Sequence, residues 1–184
     1  MRTFIAIELD AATRRPLVQL LRGFPRADGV KWCSEPQLHI TLKFLGEVPT
    51  TTLPKVCEIA ARVSRAVPPF EIRLAGLGCF PAPRNPRVLW AGVQDAADGC
   101  RRWVELADPE LEAIGYKPET RAFTPHITLG RSRSSGGSDV LRGVLDRATL
   151  SAGPPMQVTR VTVYESVLGP GGARYEVLAT ASLG

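Results

Sequence analysis

The chain has 184 residues, the size of one domain or of two small lobes that share a core. Its 44% hydrophobic and 22% charged residues are typical of a globular protein, and no apolar run approaches the ~18 residues of a membrane span. The N-terminus reaches Glu8 too early for a signal peptide, so we expect a cytoplasmic protein that does not contact membranes. The net charge of +5 suits an anionic substrate without establishing one, because the basic residues are scattered.

The first half of the chain predicts strands that alternate with helices. The predicted elements are a strand at 3–9, a helix at 11–22, a short extended segment at 29–33, a strand at 39–45, a helix through 67 and a strand at 70–77. Asp10 is a suitable N-cap for the first helix and Gly23 a suitable end. Thr51 or Thr52 is expected to cap the second helix.

The second half follows a similar order. The predicted elements are a loop at 79–86, a strand at 87–93, a helix from 98 to about 114, a strand at 126–130, a flexible Ser/Gly/Arg loop at 132–138, a short helix at 140–146, and strands at 156–167 and 174–181. Asp98 is expected to cap the long helix, and Pro109 to kink or divide it. The turn Gly-Pro-Gly-Gly at 169–172 predicts a hairpin between the last two strands.

This order contains a repeat. In each half an apolar strand is followed by a helix and then by a strand that begins His-Ile-Thr-Leu, at His39 and at His126. We infer a single domain of two intertwined lobes, about 1–80 and 87–184, related by pseudo-twofold symmetry. The expected fold is therefore α+β and bilobal, with mainly antiparallel sheets and flanking helices around a central groove, across which the two His strands face each other.

The two histidines of the chain both occupy the first position of the repeated tetrapeptide. Because side chains alternate along a strand, His39 shares a face with Thr41, and His126 shares a face with Thr128. The Ile and Leu positions point to the opposite face, where they can anchor each strand in the core. The two motifs together would bring two imidazoles and two hydroxyls to one point.

Such a set of groups suits proton transfer on a phosphate ester. The pKa of histidine, about 6.5, lets one ring take a proton from water while the other gives a proton to a leaving oxygen. Each transfer is worth roughly 10²–10⁴ in rate. Threonine hydroxyls can donate hydrogen bonds to phosphate oxygens, and an imidazolium with a nearby arginine can supply positive charge. We therefore expect neither a metal nor another cofactor.

Other interpretations of the histidines are weaker. A single histidine on a strand is usually a satisfied polar residue, but two in matched motifs are not explained in this way. A zinc site would need a Cys pair or a close acidic cluster, and the widely spaced Cys33, Cys57, Cys79 and Cys100 form no such pair. A Ser-His-Asp hydrolase would lack a Gly-x-Ser-x-Gly elbow and would leave one motif idle.

The two tetrapeptides and their flanks resemble the 2H phosphoesterases, and among these the bacterial and archaeal RNA 2′,3′-cyclic phosphodiesterases, also called 2′-5′ RNA ligases. The similar segments are 2–9, 30–32, 38–46, 80–81, 86–93, 121–131, 164–166 and 171–175. One His-x-Thr motif is weak, whereas two copies with these flanks and this spacing are specific. The resemblance implies a bilobal fold and hydrolysis of a terminal 2′,3′-cyclic phosphate of RNA to a 2′-phosphate.

By motif position, the resemblance implies that His39 and His126 are catalytic and that Thr41 and Thr128 hold the phosphate. We expect His126 to be the proton acceptor that activates water. His39 would be the proton donor to the departing 3′ oxygen, although the pseudo-symmetry leaves this division open.

The candidate site is completed by one residue that follows each tetrapeptide. Arg131 is a candidate phosphate contact, and the alternative is a solvated arginine at a strand end. Phe44 could stack on the terminal base. Strict alternation, however, puts Phe44 on the face of Ile40 and Leu42, which favours a position in the core.

The implied partner is an RNA or oligonucleotide end with a 2′,3′-cyclic phosphate, and tRNA halves are one candidate. Nothing in the sequence demands more than a monomer. Two other functions stay open at this point. The same site could join RNA ends through a 2′-5′ linkage in the reverse reaction, or the protein could be a non-catalytic module that binds RNA ends.

Overall fold

The computed structural model describes residues 1–170 and 172–184, which form one nine-stranded sheet and four α-helices. The strands are β1 (Arg2–Glu8), β2 (Val30–Trp32), β3 (His39–Glu47), β4 (Phe70–Phe80), β5 (Val88–Gln94), β6 (His126–Ser132), β7 (Met156–Val158), β8 (Arg160–Gly169) and β9 (Gly172–Ser182). The helices are α1 (Ala11–Arg22), α2 (Leu53–Arg65), α3 (Gly99–Glu112) and α4 (Ser135–Arg147), and a 3₁₀ turn covers Glu35–Gln37. Neighbouring strands run antiparallel, so the α+β prediction is confirmed.

The two His strands are hydrogen-bonded neighbours at the centre of the sheet. The strand order is β7-β4-β5-β6-β3-β1-β8-β9, and β2 pairs with β6 beside this path. β3 and β6 meet at Ile40 and Ile127, the second residues of the two tetrapeptides. The prediction that these strands face each other across a groove is wrong. Together with β2, which pairs with the end of β6, this contact joins the two halves of the sheet and leaves less open edge between them.

The helices cover the face of the sheet that carries the isoleucines. Ile40 and Ile127 have no exposed surface. One core cluster joins them to helix residues Leu17, Val56, Ile59, Trp103, Leu111 and Leu141. Burial of each such side chain contributes about 1.5–3 kcal/mol. Trp103 also donates a hydrogen bond from Nε1 to Ser64 Oγ (3.0 Å), which ties α3 to α2. The opposite face of β3 and β6 is left for the His and Thr side chains.

The helix starts follow the sequence in one case and depart from it in another. Asp10 caps α1 as predicted, since its carboxylate accepts a hydrogen bond from Thr13 N (2.8 Å). Asp98 does not cap α3, because it adopts a left-handed conformation with φ 51° and its side chain makes no capping bond. The carboxylate of Asp95 accepts from Gly99 N (3.0 Å) and Cys100 N (2.7 Å) instead.

Two predictions about α3 and α4 are corrected. Pro109 does not divide α3, which is anchored in the core on both sides of it by Trp103 and Leu111. The loop predicted at 132–138 is largely helical, because α4 already begins at Ser135. Ser134 Oγ caps this helix by accepting from Gly137 N (3.2 Å).

The strands also differ from their predicted bounds. β4 continues through Phe80 into the predicted loop, since Cys79 and Phe80 pair with β5. The strand predicted at 156–167 is divided, because β7 pairs with β4 whereas β8 pairs with β1. β8 and β9 form the predicted hairpin, although Gly171 of its turn lies outside the described residues. Within the described ranges, no helix has the length and apolar character needed to cross a bilayer.

Candidate active site

The junction of β3 and β6 brings the two motifs together. In an antiparallel pair, the bridge between Ile40 and Ile127 places His39 opposite Thr128 and Thr41 opposite His126. The four polar side chains are half-buried, whereas both isoleucines are fully buried. Strand alternation was therefore predicted correctly within each tetrapeptide. The two halves of the site are interleaved across one strand pair.

A β-bulge follows each His-x-Thr motif. On β3, Thr41 pairs with Ala6 and Lys43 pairs with Ile5, so Leu42 is an extra residue. On β6, Thr128 pairs with Trp90 and Gly130 pairs with Leu89, so Leu129 is an extra residue. A bulge reverses the alternation of the side chains that follow it. The bulges thus occupy equivalent positions in the two motifs.

The bulges turn Phe44 and Arg131 toward the site. The argument from alternation that favoured a core position for Phe44 was wrong, since its side chain is 45% exposed and lines the cavity beside His39. Arg131 is exposed and lines the same cavity. Lys43, by contrast, is buried, and its ammonium donates to Asp108 Oδ1 (2.6 Å) and to the carbonyl of Lys117 (3.0 Å).

Both imidazoles are held in the same way. His39 Nδ1 lies 2.7 Å from the carbonyl of Gln37, and His126 Nδ1 lies 2.7 Å from the carbonyl of Thr124. A carbonyl only accepts hydrogen bonds, so each Nδ1 carries the hydrogen, and in the neutral ring Nε2 is left with a free lone pair. His39 Nε2 lies 2.9 Å from Thr41 Oγ1 and can accept its hydroxyl hydrogen.

Burial makes both rings harder to protonate. Desolvation lowers the pKa of His39 to about 4, the hydrogen bond to the Gln37 carbonyl opposes this shift, and the charges of His126 and Arg131 add to it. The pKa of His126 is also lowered, again mainly by burial and further by Arg131. Both histidines are therefore mainly neutral at neutral pH in the free protein.

Aromatic side chains pack against each imidazole. The ring centroids of Phe4 and Tyr175 lie 5.0 and 5.2 Å from that of His39. Phe80 lies edge-on to His126 at 5.0 Å. These rings fix the imidazoles in place and account for much of their desolvation.

Two adjoining cavities open on the site. The first, of about 560 Å³, contains five of the six predicted site residues: His39, Thr41, Phe44, Thr128 and Arg131. The sixth, His126, lines a second cavity of about 440 Å³. Thr41 and Phe44 border both cavities, so together these form one continuous groove.

The first cavity also contains polar and charged residues that were not identified as site residues from the sequence. Arg2, Lys31, Gln37 and Tyr175 line it, although none belongs to a tetrapeptide. Lys31 pairs with Arg131 across β2 and β6, so the two side chains share a face. Gln37 not only accepts from His39 but also donates from Nε2 to the carbonyl of Ala173 (2.7 Å) in β9. These placements depend on long-range pairing, and no local pattern encodes it. In the described part of the chain, His, Cys, Asp and Glu form no group of three or more able to hold a metal ion.

The family model described as "LigT like Phosphoesterase" matches residues 7–90 and 92–175, one segment for each His motif. The chain belongs to the LigT-like phosphoesterases. The RNA 2′,3′-cyclic phosphodiesterase of Thermotoga maritima is 33% identical to it over 97% of this chain and 93% of that protein. That of Methanothermobacter thermautotrophicus is 32% identical over 95% of each.

Solved LigT-like structures share the fold over the full length. The crystal structure of TT0787 from Thermus thermophilus superposes with a TM-score of 0.82 at 32% identity, covering 100% of this chain and 98% of that one. E. coli LigT in complex with 3′-AMP superposes with a TM-score of 0.78 at 26% identity, covering 99% and 97%. The curled antiparallel sheet and its four helices are therefore those of the LigT-like phosphoesterases.

Proposed function

We propose that this protein hydrolyses the terminal 2′,3′-cyclic phosphate of RNA to a 2′-phosphate, with His39 and His126 as its acid–base pair. The observation that carries the proposal is the matched pair of imidazoles, each with Nδ1 fixed on a carbonyl and each beside a motif threonine. Relatives that are about one-third identical over nearly the whole chain are RNA 2′,3′-cyclic phosphodiesterases, which supports the same reaction here. The physiological substrate would be an RNA end such as that of a tRNA half.

The reaction needs one proton removed and one supplied. His126 Nε2 takes a proton from water, whose oxygen attacks phosphorus as the bond to the 3′ oxygen breaks. His39 gives its Nε2 proton to that oxygen, which leaves a 3′-hydroxyl and a 2′-phosphate. Thr41, Thr128 and Arg131 hold the non-bridging oxygens, where negative charge accumulates.

Substrate itself would prepare His39 for the acid role. Burial keeps this ring neutral in the free protein, but a phosphate anion beside it favours the charged form and raises its pKa. Once Nε2 is protonated, it no longer accepts from Thr41. The Thr41 hydroxyl, 2.9 Å away, is then free to donate to the phosphate.

The test is hydrolysis of a nucleoside 2′,3′-cyclic phosphate by purified protein in excess EDTA. We expect turnover to a 2′-phosphate, and losses of at least 10²-fold in His39→Ala and His126→Ala. Lys55→Ala is the control, because Lys55 is an exposed residue that pairs with Glu58 on α2, and its replacement should leave the rate unchanged. Tight binding of the cyclic phosphate without product would identify a non-catalytic RNA-end module instead. Turnover that survives both histidine changes would refute the acid–base pair.

The second cavity favours ligation as an additional reaction. Its volume of about 440 Å³ on the His126 side far exceeds the ~30 Å³ of one water molecule. A 5′-hydroxyl of another RNA end could occupy it and give its proton to His126. Attack on phosphorus with loss of the 3′ oxygen then forms a 2′-5′ linkage. Ligation of RNA half-molecules, followed by digestion with a linkage-specific nuclease, would separate this product from hydrolysis.

A further inference from the structure

The first cavity holds more positive charge than one cyclic phosphate requires. Arg2, Lys31 and Arg131 line it, and none of the lining residues is acidic over the part of the chain that the structure describes. A cyclic phosphodiester carries a single negative charge, which Arg131 and one imidazolium already balance. The charges of Arg2 and Lys31 are therefore left over for another anionic group.

These two cations are held without ion-pair partners. Within residues 1–170 and 172–184, neither Arg2 nor Lys31 takes part in a salt bridge. The guanidinium of Arg2 lies over the ring of Phe44, with Cζ 5.3 Å from the ring centroid, which restrains it at the cavity wall. The Lys31 ammonium extends to β9, where a Cβ built on Gly172 would lie only 3.1 Å from Nζ.

Arg131 lines the same cavity as these two cations. Lys31 pairs directly with Arg131 across β2 and β6. Burial raises the pKa of Cys33, and the nearby charges of Arg131 and Lys31 oppose that shift. Burial likewise raises the pKa of Tyr175, which the charges of Arg131 and Arg2 oppose. The three cations therefore concentrate positive charge in the first cavity.

The remaining wall of this cavity suits the nucleoside between two phosphates. Phe4, Phe44, Tyr175 and Leu168 provide apolar surface, and the volume of about 560 Å³ lies within the ~300–1,000 Å³ typical of small-molecule sites. A nucleoside held there with its cyclic phosphate at His39 and Thr128 would direct its 5′ side along the same cavity. Arg2 and Lys31 are the positive groups available to whatever anion that side carries.

We propose that Lys31 and Arg2 form a second phosphate subsite, which binds the phosphate on the 5′ side of the terminal nucleoside. The proposal rests on the phosphodiesterase function and specifies its substrate class. The enzyme acts preferentially on oligonucleotides and on 5′-phosphorylated nucleoside 2′,3′-cyclic phosphates, and less well on nucleosides that carry the cyclic phosphate alone. Because the second phosphate is remote from the reacting bond, its effect falls mainly on KM.

The experiment compares adenosine 2′,3′-cyclic phosphate with the same nucleotide that carries an additional 5′-phosphate. For the unmodified chain we expect kcat/KM to be on the order of tenfold higher for the 5′-phosphorylated substrate. Lys31→Gln and Arg2→Gln should each reduce this ratio several-fold, mainly through KM, whereas Lys31→Arg should retain most of it. Lys55→Gln is the control and should leave the ratio unchanged.

Several outcomes would overturn the subsite. One is an equal kcat/KM for the two substrates. Another is a loss of kcat/KM in Lys31→Gln that is the same for both substrates, which is the result expected if Lys31 only attracts anions at long range. If Lys31 acts only by such long-range attraction, the losses of kcat/KM on both substrates should also disappear together at high salt. Failure of the phosphodiesterase function is distinguishable, because the unmodified chain would then turn over neither substrate.

Discussion

Replacement of His39 by glutamine should weaken the dependence of folding stability on pH. Burial lowers the pKa of His39 from 6.5 to about 4, so the unfolded chain takes up a proton at this residue between those values whereas the folded chain does not. The stabilisation from a neutral His39 is therefore complete above pH 6.5 and is lost as the pH falls toward 4. The free energy of unfolding should fall by about 2 kcal/mol between pH 7 and pH 5 on this account, and by about 3 kcal/mol by pH 4.

The measurement is urea unfolding of the unmodified chain and of His39→Gln at pH 7, 6 and 5, a range in which few carboxylates titrate. Glutamine keeps a side-chain N–H but has no proton to gain, so the variant should lose about 2 kcal/mol less than the unmodified chain between pH 7 and pH 5. Parallel pH dependences for the two proteins would show that His39 is not buried as a neutral ring. The explanation of its pKa by desolvation would then be wrong.

Three further predictions follow from the site and its supports. The first uses a substrate in which sulfur replaces the bridging 3′ oxygen, so that the leaving group needs no proton. This substrate should largely restore the activity of His39→Ala but not that of His126→Ala. The reverse pattern would exchange the roles of the two histidines. Lys43→Ala should lower the free energy of unfolding, measured by urea unfolding, by about 2–4 kcal/mol, because it leaves Asp108 and the carbonyl of Lys117 without their partner. A change below about 1 kcal/mol would mean that solvent replaces the ammonium. Gly137→Ala should lower the melting temperature, because its Cβ would lie 2.0 Å from Gly29 O. The matched control is Gly136→Ala, whose Cβ would have Ser134 Oγ as its nearest neighbour, at 3.9 Å. Equal effects of the two changes would contradict the close approach of α4 to Gly29.

The local elements and the motif residues could be predicted because their causes are local. Asp10 caps α1 through a bond to a residue three positions away, and such a bond is encoded in the neighbouring sequence. The alternation of His39 and Thr41 against Ile40 follows from strand geometry alone. The same geometry was applied to Phe44, and there it failed, because a bulge at Leu42 comes between them.

The errors arose where distant segments decide the structure. The bulge after Thr41 depends on how β3 fits against β1, and the neighbouring positions of the two His strands depend on a single bridge between distant residues. The choice of Asp95 over Asp98 as the cap of α3 depends on a left-handed turn that any non-glycine residue adopts only rarely. Lys31 could not be assigned to the site, because its partner Arg131 lies far along the chain.

The bridge between Ile40 and Ile127 has a consequence for how the protein acquires activity. The two residues come from opposite halves of the chain, and closing such a distant contact costs more loop entropy than forming the β8–β9 hairpin. Neither half alone contains both imidazoles, so a chain synthesised only as far as the first half has an incomplete site whatever its local order. If His39 and His126 act as the proposed acid–base pair, catalysis is confined to chains in which the two halves have joined, and a nascent chain that lacks β6 has no activity.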